Sequence, residues 1–268
     1  MIRTLVSLAA LSAAGTATAQ QGDVPVPETG PRDFVSVGAA VLPDHPGSDE
    51  YRVLPIAAAR FEIAGIRFQT EGPGLAAELW TNERIELGVY ARAYGGRDDD
   101  IDDAVVRALP QVDTAAVLGG FARFDIAEAV FNRFDEISVT ARAGADVTGT
   151  FDGAIWTAEA QYATPLSRTS FAALGVSLTG VSEDYGDLHF SIGPAGSAAS
   201  GLAMFDAGGG VRDATVNLIV DYGFAPDWSV TAIAGYSRLL GDFADSPIVA
   251  VRGSADQYFA GLALGRKF

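Results

Sequence analysis

The only histidines in this 268-residue chain are His45 and His189, and it contains no cysteine. A hydrolase built on either imidazole would need a nucleophile and an orienting group within hydrogen-bond reach. Ser48 stands near His45 and Ser191 near His189, but no nucleophile motif surrounds either pair. Both histidines read as loop residues, and no catalytic residue is assigned. The acidic run Asp98-Asp99-Asp100, with Asp102 and Asp103, offers oxygen ligands to Ca²⁺ or Mg²⁺. It lacks EF-hand spacing, so solvated loop charge, or contact with a cation-bridged lipopolysaccharide layer, is the simpler reading. No metal and no cofactor is assigned. A third set, Arg60, Glu62, Arg67, Glu78, Glu86, Arg92, Arg142, Asp146, Glu159 and Asp221, places charges of both signs inside otherwise apolar segments. Such groups either pair with one another or line a path for solutes.

Composition narrows the classes. Without a thiol there is no disulfide framework, cysteine nucleophile, zinc-thiolate site or iron-sulfur cluster. With 34 acidic against 18 basic side chains and a net charge of −16, the chain is not built to neutralise phosphates, so nucleic acid is excluded as a partner. At 49% hydrophobic residues it is too apolar for disorder, and 31 glycines point to many turns.

The start reads as an address. Arg3 gives a positive beginning, Leu5 to Ala14 an apolar stretch, and Ala17-Thr18-Ala19 a small-residue cleavage site before Gln20. The apolar stretch falls short of the ~20 residues a spanning helix needs. The expected organisation is a signal peptide over 1–19, an exposed leader over 20–33 carrying Pro25, Pro27 and Pro31, and one domain over 34–268.

That domain has a period of two, the period of strands. From 137 to 147 the odd positions are Ile137, Val139, Ala141, Ala143, Ala145 and Val147, while Ser138, Thr140, Arg142 and Asp146 lie between them. The same alternation runs through 86–94, 154–164 and 214–224, where Ile219 is the one exception. Strands of ~10 residues exceed the usual ~5 to 6 of a sandwich and match a tilted bilayer crossing. Trp156, Tyr162, Tyr222, Phe224, Trp228 and Tyr258 fall at or near strand ends, where a barrel carries its aromatic girdles. The expectation is an all-β, up-and-down antiparallel transmembrane barrel of about twelve strands in the outer membrane of a Gram-negative cell. The strands are placed near 34–42, 53–62, 64–71, 75–80, 85–94, 115–125, 136–147, 154–164, 169–180, 208–224, 228–239 and 256–268. Long connections at 43–52, 95–114, 181–207 and 240–255 fall outside the cell if both termini are periplasmic. By alternation the ten charges named above face the lumen.

The segments Pro43-Asp44-His45-Pro46-Gly47-Ser48-Asp49-Glu50-Tyr51-Arg52-Val53-Leu54-Pro55, Gly96-Arg97-Asp98-Asp99-Asp100, Tyr236-Ser237-Arg238-Leu239-Leu240-Gly241-Asp242 and Gly241-Asp242-Phe243-Ala244-Asp245-Ser246-Pro247-Ile248-Val249 resemble the MipA/OmpV family of outer-membrane proteins, the MltA-interacting proteins. The resemblance runs from about Phe34 to Phe268. It departs from the family at His45, where a tyrosine is usual, and at Arg266, which interrupts the apolar series Tyr258, Ala260, Leu262, Leu264 and Phe268. What it implies is a non-enzymatic scaffold that brings a lytic transglycosylase together with a penicillin-binding protein. A diffusion channel, or an adhesin acting through the outer loops, stands as the alternative. The implied surroundings are outer-membrane lipid, lipopolysaccharide and the barrel-assembly machinery, which would read Phe268. Murein enzymes lie in the periplasm, at the end opposite the family-like loops, so no partner-contact residue is assigned. Deleting Phe268 is expected to lower the yield of assembled barrel, measured as the heat-modifiable form in outer-membrane fractions.

Overall fold

The structure, a computed structural model, describes residues 33–70 and 72–268. The expected signal peptide and nearly all of the leader lie outside the described residues. The chain forms a closed antiparallel barrel of twelve strands in which each strand pairs with its sequence neighbours and the first closes on the last. They are β1 (Phe34–Pro43), β2 (Tyr51–Ile63), β3 (Ile66–Thr70), β4 (Gly74–Thr81), β5 (Ile85–Tyr94), β6 (Ala115–Glu128), β7 (Glu136–Asp146), β8 (Ala154–Pro165), β9 (Ser170–Val181), β10 (Gly210–Ala225), β11 (Trp228–Leu239) and β12 (Asp256–Lys267). Closure runs from Phe34 opposite Lys267 to Val41 opposite Ala260. No described helix is long and apolar enough to cross a membrane. The strands make the crossing, and closure satisfies the backbone groups that an open edge would leave bare in lipid.

Alternation decides what each strand shows to either side. Val35, Val37 and Val41 on β1, Leu174, Val176 and Leu178 on β9, and Leu262 and Leu264 on β12 are exposed on the outer wall. Ser36, Arg60, Arg123, Ser138, Thr140, Asp213 and Gln257 are buried inside. Ile219, which broke the pattern on β10, points inward. It is 5% exposed and packs with Ala163, Ala173 and Ile233, flanked by Phe171 and Phe259. The interior is therefore polar only in part. The ring of Phe259 lies so close to Gly235 on β11 that a Cβ there would come within 2.1 Å of it.

Arg266 faces outward in series with the apolar residues of β12. Its guanidinium sits 5.7 Å from the ring centre of Trp228 and 5.5 Å from that of Phe268. At the last turn of the barrel this is an interfacial cation resting on two aromatic faces, with its stem along the apolar wall.

The long connections are not plain loops. They carry α1 (Ala104–Arg107), α2 (Glu183–Phe190), α3 (Pro194–Ser200), α4 (Asp242–Asp245) and α5 (Pro247–Ala250). None exceeds eight residues, so none leaves a helical period long enough to stand out in sequence. All five lie at one end of the barrel. The opposite end has short turns and both ends of the barrel's chain, with the Phe268 N–H donating to the Asp33 carbonyl at 2.9 Å.

Leu218 is 46% exposed on the outer wall, while its neighbour Asn217 faces the interior. Leu218→Arg should cost about 2 to 4 kcal/mol near the bilayer midplane, and Asn217→Arg should cost less. Urea unfolding in lipid vesicles, followed by gel mobility without heating, measures both.

Candidate functional site

At the helical end, the connections pack into a cap over the barrel mouth. Ile155, Val117, Val181 and Leu239, inward residues at the tops of their strands, join Phe151, Tyr185, Phe190, Phe243 and Val249 from the connections in one buried cluster. Tyr185 meets Phe151 edge-on at 5.2 Å, and Phe190 meets Phe243 at 5.1 Å. A second cluster ties Ile101, Val106 and Leu109 to Ile192, Leu202 and Ile248. The β1–β2 connection is pinned at Gly47. Its φ of +91° and the contact of Val249, 2.4 Å from where a Cβ would stand, leave room only for glycine.

Polar bonds stitch the same segments together. Arg97 is 7% exposed and donates to the Pro110 carbonyl at 3.0 and 3.2 Å and to the His189 carbonyl at 3.2 Å. Burial pulls its guanidinium down to about 10, which leaves it charged at neutral pH. Asp103 accepts from the Val105 and Val106 amides at 2.7 and 2.9 Å, capping α1, and receives Arg252 at 2.6 Å. The Ser246 hydroxyl donates to the Phe190 carbonyl at 2.6 Å.

The acidic run is thus divided among tasks. Asp103 is a cap, Asp99 accepts from the Gln111 amide at 2.8 Å, and Asp98 accepts from the Asp100 N–H at 3.0 Å. Asp102 lies with Asp44 and Glu50 in a group whose carboxylate oxygens fall within 4.8 Å of one another. Asp44 is already paired with Arg52, so the cluster is partly neutralised; Asp102 is its exposed member, while the Glu50 Oε2 is buried without a hydrogen-bond partner.

Among the described residues neither histidine is hydrogen-bonded to a serine hydroxyl. The His45 Nδ1 lies 3.1 Å from the Pro46 carbonyl, the Ser48 hydroxyl accepts from the Glu50 N–H at 3.0 Å, and the Ser191 hydroxyl accepts from the Ala207 N–H at 2.8 Å. His189 stacks on Tyr185 with ring centres 4.3 Å apart, and its Nε2 is buried without a partner. Burial first, then the Arg212 and Arg97 cations, push this imidazole down to about 3.

Beneath the cap lies a lumen cavity of 560 Å³. Of the ten charges expected inside, Arg67, Glu78, Glu86, Arg92, Arg142 and Glu159 line it. Arg67 binds Glu78 at 2.9 Å and Arg142 reaches Glu159 at 3.4 Å. Arg60 is buried beside the cavity and donates twice to the Gln69 side-chain Oε1, at 3.0 and 2.6 Å. Asp221 accepts from Thr231 at 2.8 Å and pairs with Lys267 at 3.1 Å. Asp146 ends β7 and accepts from the Thr148 and Phe151 amides, both at 2.8 Å, shaping the β7–β8 connection. Glu62 is exposed at the end of β2, opposite Arg67 in register.

Other interior charges escaped the sequence reading. Arg123 lines the cavity, lies 3.1 Å from Asp125 and 4.0 Å from Glu86, and also pairs with Glu136. Its even spacing from Phe121 and Asp125 could have revealed it, but the glycine pair Gly119-Gly120 blurs the apolar face of β6. Arg212 sits where the β9–β10 pairing slips between Val211 and Asp213. It binds Asp213 at 2.7 Å and donates to the Tyr185 hydroxyl at 2.8 Å, joining barrel to cap. A register slip leaves no trace in simple alternation.

Residues 35–268 match the protein family described as MltA-interacting protein MipA. The chain belongs to the MipA family. Comparison with curated proteins gave no match. Among solved structures, the MipA-family barrel is similar to an outer-membrane channel from Pseudomonas putida F1, at 12% identity and a TM-score of 0.43, covering 92% of this chain and 100% of that one. It is also similar to the translocator domain of the autotransporter NalP from Neisseria meningitidis, at 11% identity and 0.39, covering 88% of each. The toluene transporter TbuX of Ralstonia pickettii gives 9% and 0.38, covering 98% and 97%. The MipA-family chain is a closed twelve-stranded barrel with a capped mouth and an arginine-bearing lumen.

The buried His189 gives a pH signature. Its folded pKa lies below the ordinary 6.5, so the unfolded chain binds the extra proton and stability falls as pH drops from about 6.5 toward 3. His189→Gln should flatten the part of the pH dependence lying between about pH 7 and pH 4.5, read as urea midpoints for both proteins at each pH.

Proposed function

We propose that this MipA-family barrel is an envelope scaffold without chemistry of its own. It would be exported through residues 1–19, inserted by the barrel-assembly machinery that reads Phe268, and surrounded by outer-membrane lipid and lipopolysaccharide. Its partner would be a murein-processing enzyme, a lytic transglycosylase of the kind the family's description names, with a penicillin-binding protein as the second member. The observation that carries the reading is the state of the lumen. Most lumen charges are held in pairs, some across neighbouring strands and others within one strand or between β10 and β12, and a packed apolar core lies over the helical mouth. A paired interior stiffens the wall and opposes a steady ionic path. The periplasmic end, with its short turns, is the side a murein enzyme would meet.

A diffusion channel is the second reading, favoured by the cavity of 560 Å³. An adhesin would act through the capped loops. Affinity capture of the full chain from solubilised envelopes should recover the transglycosylase, and the purified barrel in planar bilayers should show little steady conductance. Stepwise conductance that changes with Arg142→Gln, together with no murein enzyme in the captured material, would replace the scaffold with the channel.

A further inference from the structure

The lumen cavity has a composition unlike the rest of the chain. Five arginines, Arg67, Arg92, Arg123, Arg142 and Arg212, line it against four carboxylates, Glu78, Glu86, Glu159 and Asp213, although acidic residues outnumber basic ones 34 to 18 overall. Four of these arginines are matched. Arg67 pairs with Glu78, Arg123 with Glu86, Asp125 and Glu136, Arg142 with Glu159, and Arg212 with Asp213. Arg92 is different. Among the described residues no carboxylate lies within ion-pair distance of it, its Nε is buried without a hydrogen-bond partner, and its guanidinium rests 5.3 Å from the ring centre of Tyr94. A second unsatisfied atom, the Gln161 Oε1, is buried in the wall of the same cavity. Buried polar groups are nearly always satisfied, and leaving a charged donor unmatched is costly.

We propose that the lumen cavity is a binding site for a small amphiphilic monoanion, a carboxylate on an apolar body, with Arg92 as its anchor. The guanidinium offers only donors in a planar fork that matches a carboxylate. The Tyr94 ring, its centre 5.3 Å from the guanidinium carbon, lies against that fork. One unmatched cation neutralises one charge, which favours a carboxylate over a phosphate monoester. The phosphate would bring close to two charges among four carboxylates. The apolar body has its own surface, since Phe121, Ile219, Ile233 and Phe259 also line the cavity. The Gln161 oxygen would accept from a hydroxyl or amide N–H of the ligand. The volume of 560 Å³ lies within the range of about 300 to 1,000 Å³ usual for small-molecule sites. This site does not depend on the scaffold reading, because a barrel can hold a lumen ligand with or without a periplasmic partner.

The test is calorimetric titration of the full barrel in lipid nanodiscs with 4-phenylbutyrate, its neutral amide and the matching amine, against empty nanodiscs. The acid should bind saturably, and the amide and amine should each bind about tenfold more weakly or worse, the loss of one charged hydrogen-bond pair. Arg92→Gln should weaken the acid by a similar factor while leaving the amide unchanged. Arg92→Lys should recover part of the affinity, and Arg133→Gln, on the exposed β6–β7 turn, none of the loss. Gel mobility without heating shows that each variant is folded. Equal binding of acid and amide, an unchanged affinity in folded Arg92→Gln, or no saturable binding up to about 10 mM would overturn the proposal and leave the cavity to water.

Discussion

A backbone amide or carbonyl left bare in hydrocarbon costs several kcal/mol, and the rest of this structure follows from meeting that demand. The pairing of β1 with β12 removes the last open edge of a twelve-stranded sheet. Once the sheet is closed, each strand has one face toward lipid and one toward the lumen, and the period of two becomes obligatory. Val35, Val37 and Val41 can be apolar because they meet acyl chains. Ser36 between them can be polar because it does not.

Closure also creates an interior that must be filled or hydrated. This chain fills it unevenly. Ion pairs join neighbouring strands, and an apolar patch around Ile219 and Ile233 packs where the aromatic rings find room over glycine. The mouth is covered by short helices that bury Tyr185 and Phe190. Arg212 links the two regions, holding Asp213 on the barrel wall and the Tyr185 hydroxyl in the cap. The cap and wall therefore behave as one bonded unit, and the unsatisfied polar atoms in the cavity wall, on Arg92 and Gln161, mark where the filling of the lumen is incomplete.

How much of this could be read from residues alone depends on the range of the interaction. The barrel was legible because alternation is local: the eleven residues of β7 show it unaided. Strand ends near 34, 85, 115, 136, 154, 228 and 256 coincide with those observed, since turn residues sit beside them. Most candidate lumen charges could be assigned to a face, but their partners could not, because pairing of Arg142 with Glu159 depends on the stagger between β7 and β8. Ile219 is an exception to the alternation that its register partner Ile233, on the next strand, explains. Arg212 was invisible because a slip in pairing turns it inward. The five helices of the cap were missed for a different reason. Each is held by contacts between distant loops, such as Val249 against Gly47 and Phe190 against Phe243, and not by its own periodicity.

The central claim is that one face of each strand meets lipid and the other an interior closed to it. A chain without cysteine allows a direct measurement. Single cysteines placed in turn at Val216, Asn217, Leu218, Ile219, Val220 and Asp221, spin-labelled in the assembled outer-membrane protein, can be scored for collision with oxygen and with a water-soluble nickel chelate. The account predicts strong oxygen collision at Val216, Leu218 and Val220 and weak collision at Asn217, Ile219 and Asp221, a period of two across β10. Uniform exposure to the chelate, or a period near three and a half residues, would contradict it.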